Sequence, residues 1–289
     1  MPRVVCAGHV NWDVTLRVDS LPDPDGEAAV ESRVAAAGGS AANVAGGLAD
    51  LGVDCSLLGS VGGDEYGRAA RAESSERGVD CDALVTVPDD ETTRKYVVVD
   101  PSGEVMVLGC PGANEAFEAA DLPEGVLRDA DHLHLTGQRP ETAAQLAERA
   151  SEAGVPVSFD PGRRVGERAY EATLSTVDYL FLNDREAALA FPFDASDSDG
   201  RTLVLKRGPD GAEVRTGGER IAHPGYPVDA VDTTGAGDAF AAGFLAGAVA
   251  GESHERALAV ANACGALAAR VPGARTDLSR AAVDALLGA

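Results

Sequence analysis

Val231-Asp232-Thr233-Thr234-Gly235-Ala236-Gly237-Asp238-Ala239-Phe240 runs directly into an alanine-rich stretch, Ala236–Ala250, with the composition of a buried helix. Glycines at 235 and 237 let the backbone turn tightly, and the peptide N–H groups that open the helix then point outward with the positive end of its dipole. Gly235, Ala236 and Gly237 thus have the makings of an anion hole for a phosphoryl group. Asp238 lies in the same turn, where a carboxylate can accept the proton of an attacking hydroxyl. The competing reading is an Asp cap on an ordinary helix after a glycine loop.

Upstream, short β-branched runs alternate with Ala-rich amphipathic stretches. The runs are Val4–Ala7, Leu57–Val61, His132–Leu135, Val155–Phe159, Tyr179–Leu182 and Leu203–Leu205. Helical patterns fall at Ser40–Leu51, Gly67–Arg77, Glu141–Ala153, Ala236–Ala250, His254–Ala269 and Ser279–Leu287. This predicts an α/β fold, a central mostly parallel sheet with helices on both faces. Two segments break the alternation, within 14–36 and 92–109. The second has Asp100-Pro101-Ser102-Gly103 as a hairpin turn between strand-like runs. Both read as antiparallel and separate from the main sheet, a small β-sheet lid over a substrate. No repeat or linker divides residues 1–289, so one domain is expected, with the acidic Asp194–Gly200 stretch a solvated excursion.

The 289 residues are long enough for one well-buried core; 45% are apolar but only 4% aromatic, so that core is built from Ala, Val and Leu. The net charge of −23 sets 47 acidic residues against 24 basic ones, and Lys occurs only at Lys95 and Lys206. Self-repulsion on this scale suits a medium in which salt screens it, which predicts a cytoplasmic enzyme of a salt-loving organism; an ordinary acidic enzyme is the plainer alternative. A nucleic-acid backbone is excluded as a partner by the same charge. Five scattered cysteines without C-x-x-C spacing read as reduced core residues. No leader-like or 18-residue apolar segment is present, so the protein is expected to be neither secreted nor membrane-bound.

A second glycine turn, Ala37-Gly38-Gly39-Ser40-Ala41-Ala42-Asn43, also opens a helix. Its backbone can approach a small polar ligand, and Asn43 offers both a donor and an acceptor for sugar hydroxyls. Alone it could be a tight turn or a dinucleotide fingerprint, but the G-x-G-x-x-G spacing is lacking, and no G-x-x-x-x-G-K-[ST] occurs. His132 and His134 share one strand face without a carboxylate or Cys at metal-ligand spacing, and read as core residues. Trp12 either packs over the substrate or anchors the lid.

Together, G-G-S-A-A-N and D-T-T-G-A-G-D-A-F resemble the two signatures of the ribokinase-like (PfkB) carbohydrate kinases. The likeness spans the chain and includes Gly8–Asp13, Val61–Asp64, Pro111–Asn114 and Asn183–Glu186 in the family order. It implies an ATP-dependent kinase acting on a sugar or nucleoside hydroxyl, with Asp238 as catalytic base and Gly235, Ala236 and Gly237 as anion hole. It also implies that Asp13, Gly39 and Asn43 bind substrate hydroxyls, with Asn11 as a further contact. Asn183 and Glu186 resemble the pair that organises the phosphates and Mg²⁺ through waters; otherwise they read as a helix-starting Asn and a surface Glu. Lys206 and Gly208 would meet the nucleotide phosphates, and Asn262 would line the adenine pocket. Asp232 and the loop near Pro272 and Gly273 resemble a monovalent-cation site commonly filled by K⁺.

The acceptor stays open. Ser40 stands where many ribokinases carry a sugar-contacting Lys, so ribose is not assured. Arg163 and Arg164 lie near a region that some relatives use against acidic or phosphorylated sugars, such as 2-keto-3-deoxygluconate, and Arg139 and Arg94 could add to such a pocket. The Gly-Gly-Ser turn and short lid equally resemble nucleoside kinases. A non-catalytic nucleotide- or sugar-binding protein is the alternative of another class. Lid strands with an apolar outer face would pair two subunits into a homodimer.

Overall fold

The computed structural model describes residues 1–190, 200–271, 273 and 278–288. The acidic stretch at 194–199 and Pro272 lie outside the described residues. The chain opens with β1 (Arg3–Ala7), β2 (Asn11–Val18), β3 (Val30–Gly38), α1 (Ser40–Asp50), β4 (Asp54–Gly62), α2 (Glu65–Glu76) and β5 (Leu84–Val87). It continues with β6 (Arg94–Val99), β7 (Val105–Cys110), α3 (Glu124–Arg128), β8 (His132–Thr136), α4 (Pro140–Glu152), β9 (Val157–Asp160) and α5 (Glu171–Leu174). The last part holds β10 (Tyr179–Asn183), α6 (Asp184–Ala190), β11 (Thr202–Lys206), β12 (Ala212–Thr216), β13 (Glu219–His223), α7 (Ala236–Val249), α8 (His254–Ala269) and α9 (Arg280–Leu287).

Nine strands form the main sheet in the order β13-β12-β11-β10-β9-β8-β1-β4-β5. Every pairing from β5 to β11 is parallel, and β12 and β13 close one edge antiparallel. Strand alternation divides the apolar residues between two cores. On β1, Val4 and Cys6 face the layer of α1, α7 and α8, while Val5 and Ala7 face the layer of α4. Large rings are scarce, but Phe181 and Phe244 meet edge to face with centroids 5.4 Å apart. His132 and His134 are core residues: both bond Ser158 Oγ, at 2.8 and 2.7 Å, and burial pushes each down to about 3, so they are neutral.

The second sheet has the order β3-β2-β6-β7. Each hairpin is antiparallel as expected, but the two are joined by a parallel contact between β2 and β6, which periodicity within either segment cannot reveal. The lid also begins at Asn11 rather than at Val14, with only three residues between it and β1. Trp12 anchors it, its ring 5.9 Å from that of Tyr66 on α2. Because the chain leaves β1 first for β4 and β5 on one side and later for β8 on the other, the crevice past the carboxyl ends of β1 and β8 is a topological switch point.

Candidate active site

Gly235 caps α7 with φ 76°, a left-handed conformation that an L side chain adopts only at a cost, and no side chain caps the first-turn amides. Asp238 stands in that first turn, and Asn43 Nδ2 of α1 donates to its Oδ2 at 2.8 Å. Burial pushes its carboxyl up to about 6; the Asn43 hydrogen bond, Lys206 and Lys95 work against burial, and Asp160 adds to it. A methyl added at Gly237 would sit 3.7 Å from Lys206 Nζ, so the ammonium faces the same turn. Lys206 leaves β11 and is paired with Asp160 at the end of β9. Burial opposes its charge, but Asp160, Glu186 and Asp238 outweigh burial and raise its pKa. A carboxylate poised to lose or take a proton near neutrality, an obligate cation and a fan of amides thus converge at the start of α7.

The other wall comes from the lid and α1. Asp13 on β2 lies beside Gly38, where an added Cβ would come within 2.1 Å of Asp13 Oδ2; only glycine leaves the carboxylate this space. Asp13 Oδ1 is buried without a partner among the described residues, and burial, opposed by Lys95, raises its pKa. A side chain at Gly39 would strike His9 O at 2.3 Å, so the turn and the segment leaving β1 are in close contact. Asn11 is fully buried: its Oδ1 accepts from Asn114 Nδ2 at 2.9 Å, and its own Nδ2 has no described partner. Unsatisfied buried donors and acceptors facing one crevice are what a polyhydroxylated ligand would satisfy.

Asn183 and Glu186 cap each other at the junction of β10 and α6. Asn183 N donates to Glu186 Oε2 at 2.9 Å, and Glu186 N donates to Asn183 Oδ1 at 2.8 Å. The helix-starting role read for Asn183 is present, but Glu186 is buried rather than on the surface. Glu186 is buried, and burial with the nearby Asp160 raises its pKa, opposed by Lys206. Gly208 opens a short 3₁₀ turn just past Lys206. Asn262 is buried on α8, and its Nδ2 donates to Leu258 O at 2.7 Å. Both oxygens of Asp232 accept backbone amides, from Thr234 N and Gly273 N at 2.8 Å, tying the α7 turn to the chain after α8.

Arg163 is not tied to any of the residues gathered here. It is exposed and makes no hydrogen bond or ion pair with a described residue. Its neighbour Arg164 and the more distant Arg168 turn onto Glu115 instead. Sequence reading also missed Lys95, whose register opposite Asp13 across β2 and β6 brings its charge to bear on both Asp13 and Asp238. Its signal was its rarity: in a chain with only two lysines, survival hints at a role for Lys95 as much as for Lys206.

A lidded α/β crevice with a carboxylate and a lysine at the glycine-led start of a helix has the parts that phosphoryl transfer to a hydroxyl requires. The sequence profile described as pfkB family carbohydrate kinase matches residues 1–281, and the chain belongs to that family. An ATP-dependent ribose-1-phosphate kinase of Halopiger xanaduensis is 53% identical, over 99% of this chain and 98% of that protein. Among solved structures, the nucleoside kinase of Methanocaldococcus jannaschii superposes with a TM-score of 0.88 at 25% identity, covering 100% of this chain and 99% of that one. Arabidopsis thaliana ribokinase, complexed with ribose and ATP, gives a TM-score of 0.86 at 27% identity, covering 99% and 98%. The chain is an ATP-dependent kinase that transfers a phosphoryl group to an alcohol of a sugar or nucleoside. No helix among the described residues is long and apolar enough to cross a membrane.

Proposed function

We propose that this kinase phosphorylates ribose 1-phosphate and that Asp238 is the base that takes the proton of the attacking hydroxyl. One observation carries the catalytic role: Asp238 is held by Asn43 at the mouth of the α7 anion hole, in a setting that raises its carboxyl to about 6. A base poised there is mostly ionised at neutral pH yet basic enough to accept a proton as the bond forms. The acceptor follows the Halopiger relative, whose identity to this chain is about twice that of the nucleoside kinase structure.

Asp13, the Gly39 turn and Asn43 grip the vicinal hydroxyls, with Asn11 as a further contact, and this leaves the primary hydroxyl toward Asp238. The new bond forms between that oxygen and the γ-phosphorus while the β–γ bridging bond breaks. The proton passes to Asp238 and ADP departs. Amides of Gly235, Ala236 and Gly237, with Lys206, hold the charge on the transferring group. Gly208 and Asn262 lie along the nucleotide's path. Mg²⁺, when bound with the nucleotide, neutralises phosphate charge. The buried Glu186 carboxylate, near Asp160, has the oxygen chemistry to hold it through waters. The nucleotide's phosphates would supply further oxygen ligands. Asp232, whose carboxylate keeps lone pairs beyond its two amide bonds, would border a K⁺ site. Exposed Val34 on β3 and Val105, Val107 and Leu108 on β7 support pairing of two copies through the lid. The five free cysteines, four of them buried, support a reducing, cytoplasmic setting.

Coupled ADP release in about 2 M KCl, at which salt screening is nearly complete, tests the proposal with ribose 1-phosphate, ribose, 2-keto-3-deoxygluconate, cytidine and adenosine. Preference for ribose 1-phosphate is expected. Preference for a nucleoside would replace the acceptor with that of the Methanocaldococcus structure.

A further inference from the structure

Beside the crevice lies a cationic cluster that the transfer chemistry does not use. Glu115, one residue past Asn114, accepts from Arg168 Nη1 and Nη2 at 2.8 and 3.1 Å, lies 2.7 Å from His9 Nε2, and has Arg164 Nη1 at 3.6 Å. Burial works against its charge, yet hydrogen bonds from His9 and Arg168 hold its carboxyl at about 2, so it is ionised throughout the physiological range. Two guanidiniums facing one carboxylate leave a surplus of positive charge, in a chain whose overall balance is −23. Arg168 is mostly buried and fixed bidentately, whereas Arg164 is half-exposed and farther from Glu115, free to swing onto a ligand.

The position of this cluster is fixed by the same contacts that build the acceptor wall. His9 backs onto the Gly39 turn, and Asn114 bonds Asn11. On the far side, Tyr170 interacts with Arg168 and donates to Gln138 O at 2.7 Å. Gln138 follows β8, the direct neighbour of β1. Its side chain is wholly buried, and neither Oε1 nor Nε2 has a partner among the described residues. A buried primary amide with both ends unsatisfied is costly unless a ligand completes it, and a neutral amide, unlike a carboxylate, can donate to an anion.

We propose that Arg164 and Arg168, organised by Glu115 and joined by His9 and the Gln138 amide, form the subsite for the phosphate of the acceptor. This rests on the reading of the acceptor as a sugar phosphate. The cluster joins the acceptor wall through Asn114, which bonds Asn11 and directly precedes Glu115, so a ribose ring bound there would set its phosphate on the cluster and its primary hydroxyl toward the base. Glu115 is a positioning residue, holding the guanidiniums in a fork that a phosphomonoester's oxygens match.

The test uses the full chain and two readouts. In steady state, Arg168→Gln is expected to lower the ratio of kcat/KM for ribose 1-phosphate to that for ribose at least about ten-fold. Arg164→Gln, whose half-exposed side chain carries little of the packing, should shift the same ratio in the same direction by about three-fold or more. Equal losses on both acceptors in both variants would overturn the subsite. Equilibrium binding of ribose 1-phosphate without ATP probes the subsite independently of turnover. Binding by the wild type that weakens about ten-fold in Arg168→Gln supports the subsite even if ribose 1-phosphate is not turned over, an outcome that would sink the acceptor reading alone. Undiminished binding in both variants, or none by the wild type, sinks the subsite.

Discussion

Asp238 draws its basicity from its surroundings, and this fixes the pH response. As the proposed base, Asp238 must be ionised, so kcat is expected to fall as pH drops through about 6, losing one decade per unit below it. Asn43 lowers the Asp238 pKa by donating to the charged form, so Asn43→Ala should move this acid limb to higher pH. A pH–kcat profile of the two proteins checks both statements; an unmoved limb would separate Asn43 from the base. Asp238→Asn keeps the shape but not the basicity, and should cost about three orders of magnitude in kcat or more with ATP binding nearly intact, read by single-turnover chemistry and nucleotide titration. Near-normal kcat would remove Asp238 from the role. The residue was legible because glycines and a carboxylate at a helix start form a local pattern. Its partner was not: Asn43 is 195 positions away, and only the packing of α1 on α7 brings the two together. Arg168 and Gln138 were illegible for the same reason, and the pairing of Arg163 with Arg164 in the sequence could not say which of the two meets Glu115.

At the scale of elements, the proposed acceptor contacts make the lid a substrate wall as well. β2 carries Asn11 and Asp13, and β6 brings Lys95 alongside, so any motion of the small sheet would move half of the proposed acceptor contacts with it. Alternation in the sequence predicts each hairpin, because a hairpin is a local object. The parallel joint between β2 and β6 is a contact across about eighty residues, and nothing within either strand encodes it. The consequence concerns Gly38, the last residue of β3. Gly38→Ala would drive a methyl to 2.1 Å from Asp13 Oδ2, displacing the carboxylate from the acceptor. The KM for the acceptor should rise about ten-fold or more while that for ATP stays within about two-fold. Equal effects on both substrates would mean that the lid as a whole had been disturbed and would separate Asp13 from the acceptor. β12 and β13 went unread because their five-residue runs carry charges, Glu213, Arg215 and Arg220, that mask the strand pattern. Those charges pair across the sheet edge, as Glu213 is buried between Arg207, Arg215 and Arg220.

For the whole molecule, the charge balance sets the conditions under which this architecture holds. An excess of 23 negative charges on 289 residues opposes compaction, and at about 0.1 M salt the screening length of about 10 Å lets neighbouring surface carboxylates repel. At about 1 M the length falls to roughly 3 Å, shorter than most separations between exposed charges, and the repulsion is largely removed. The ion pairs that matter for the site respond differently. Lys206–Asp160 and Arg168–Glu115 are mostly shielded from solvent, so salt weakens them far less than it weakens the surface repulsion. The unfolding midpoint should therefore rise steadily as KCl goes from about 0.1 to about 2 M, followed by circular dichroism with NaCl as a comparison. If screening is the cause, the two chlorides act alike on stability, and only kcat distinguishes K⁺ from Na⁺ should the corner at Asp232 take up a monovalent cation. A midpoint that falls with either salt would show that surface ion pairs outweigh the repulsion, and the composition would then say nothing about the medium for which the protein is built.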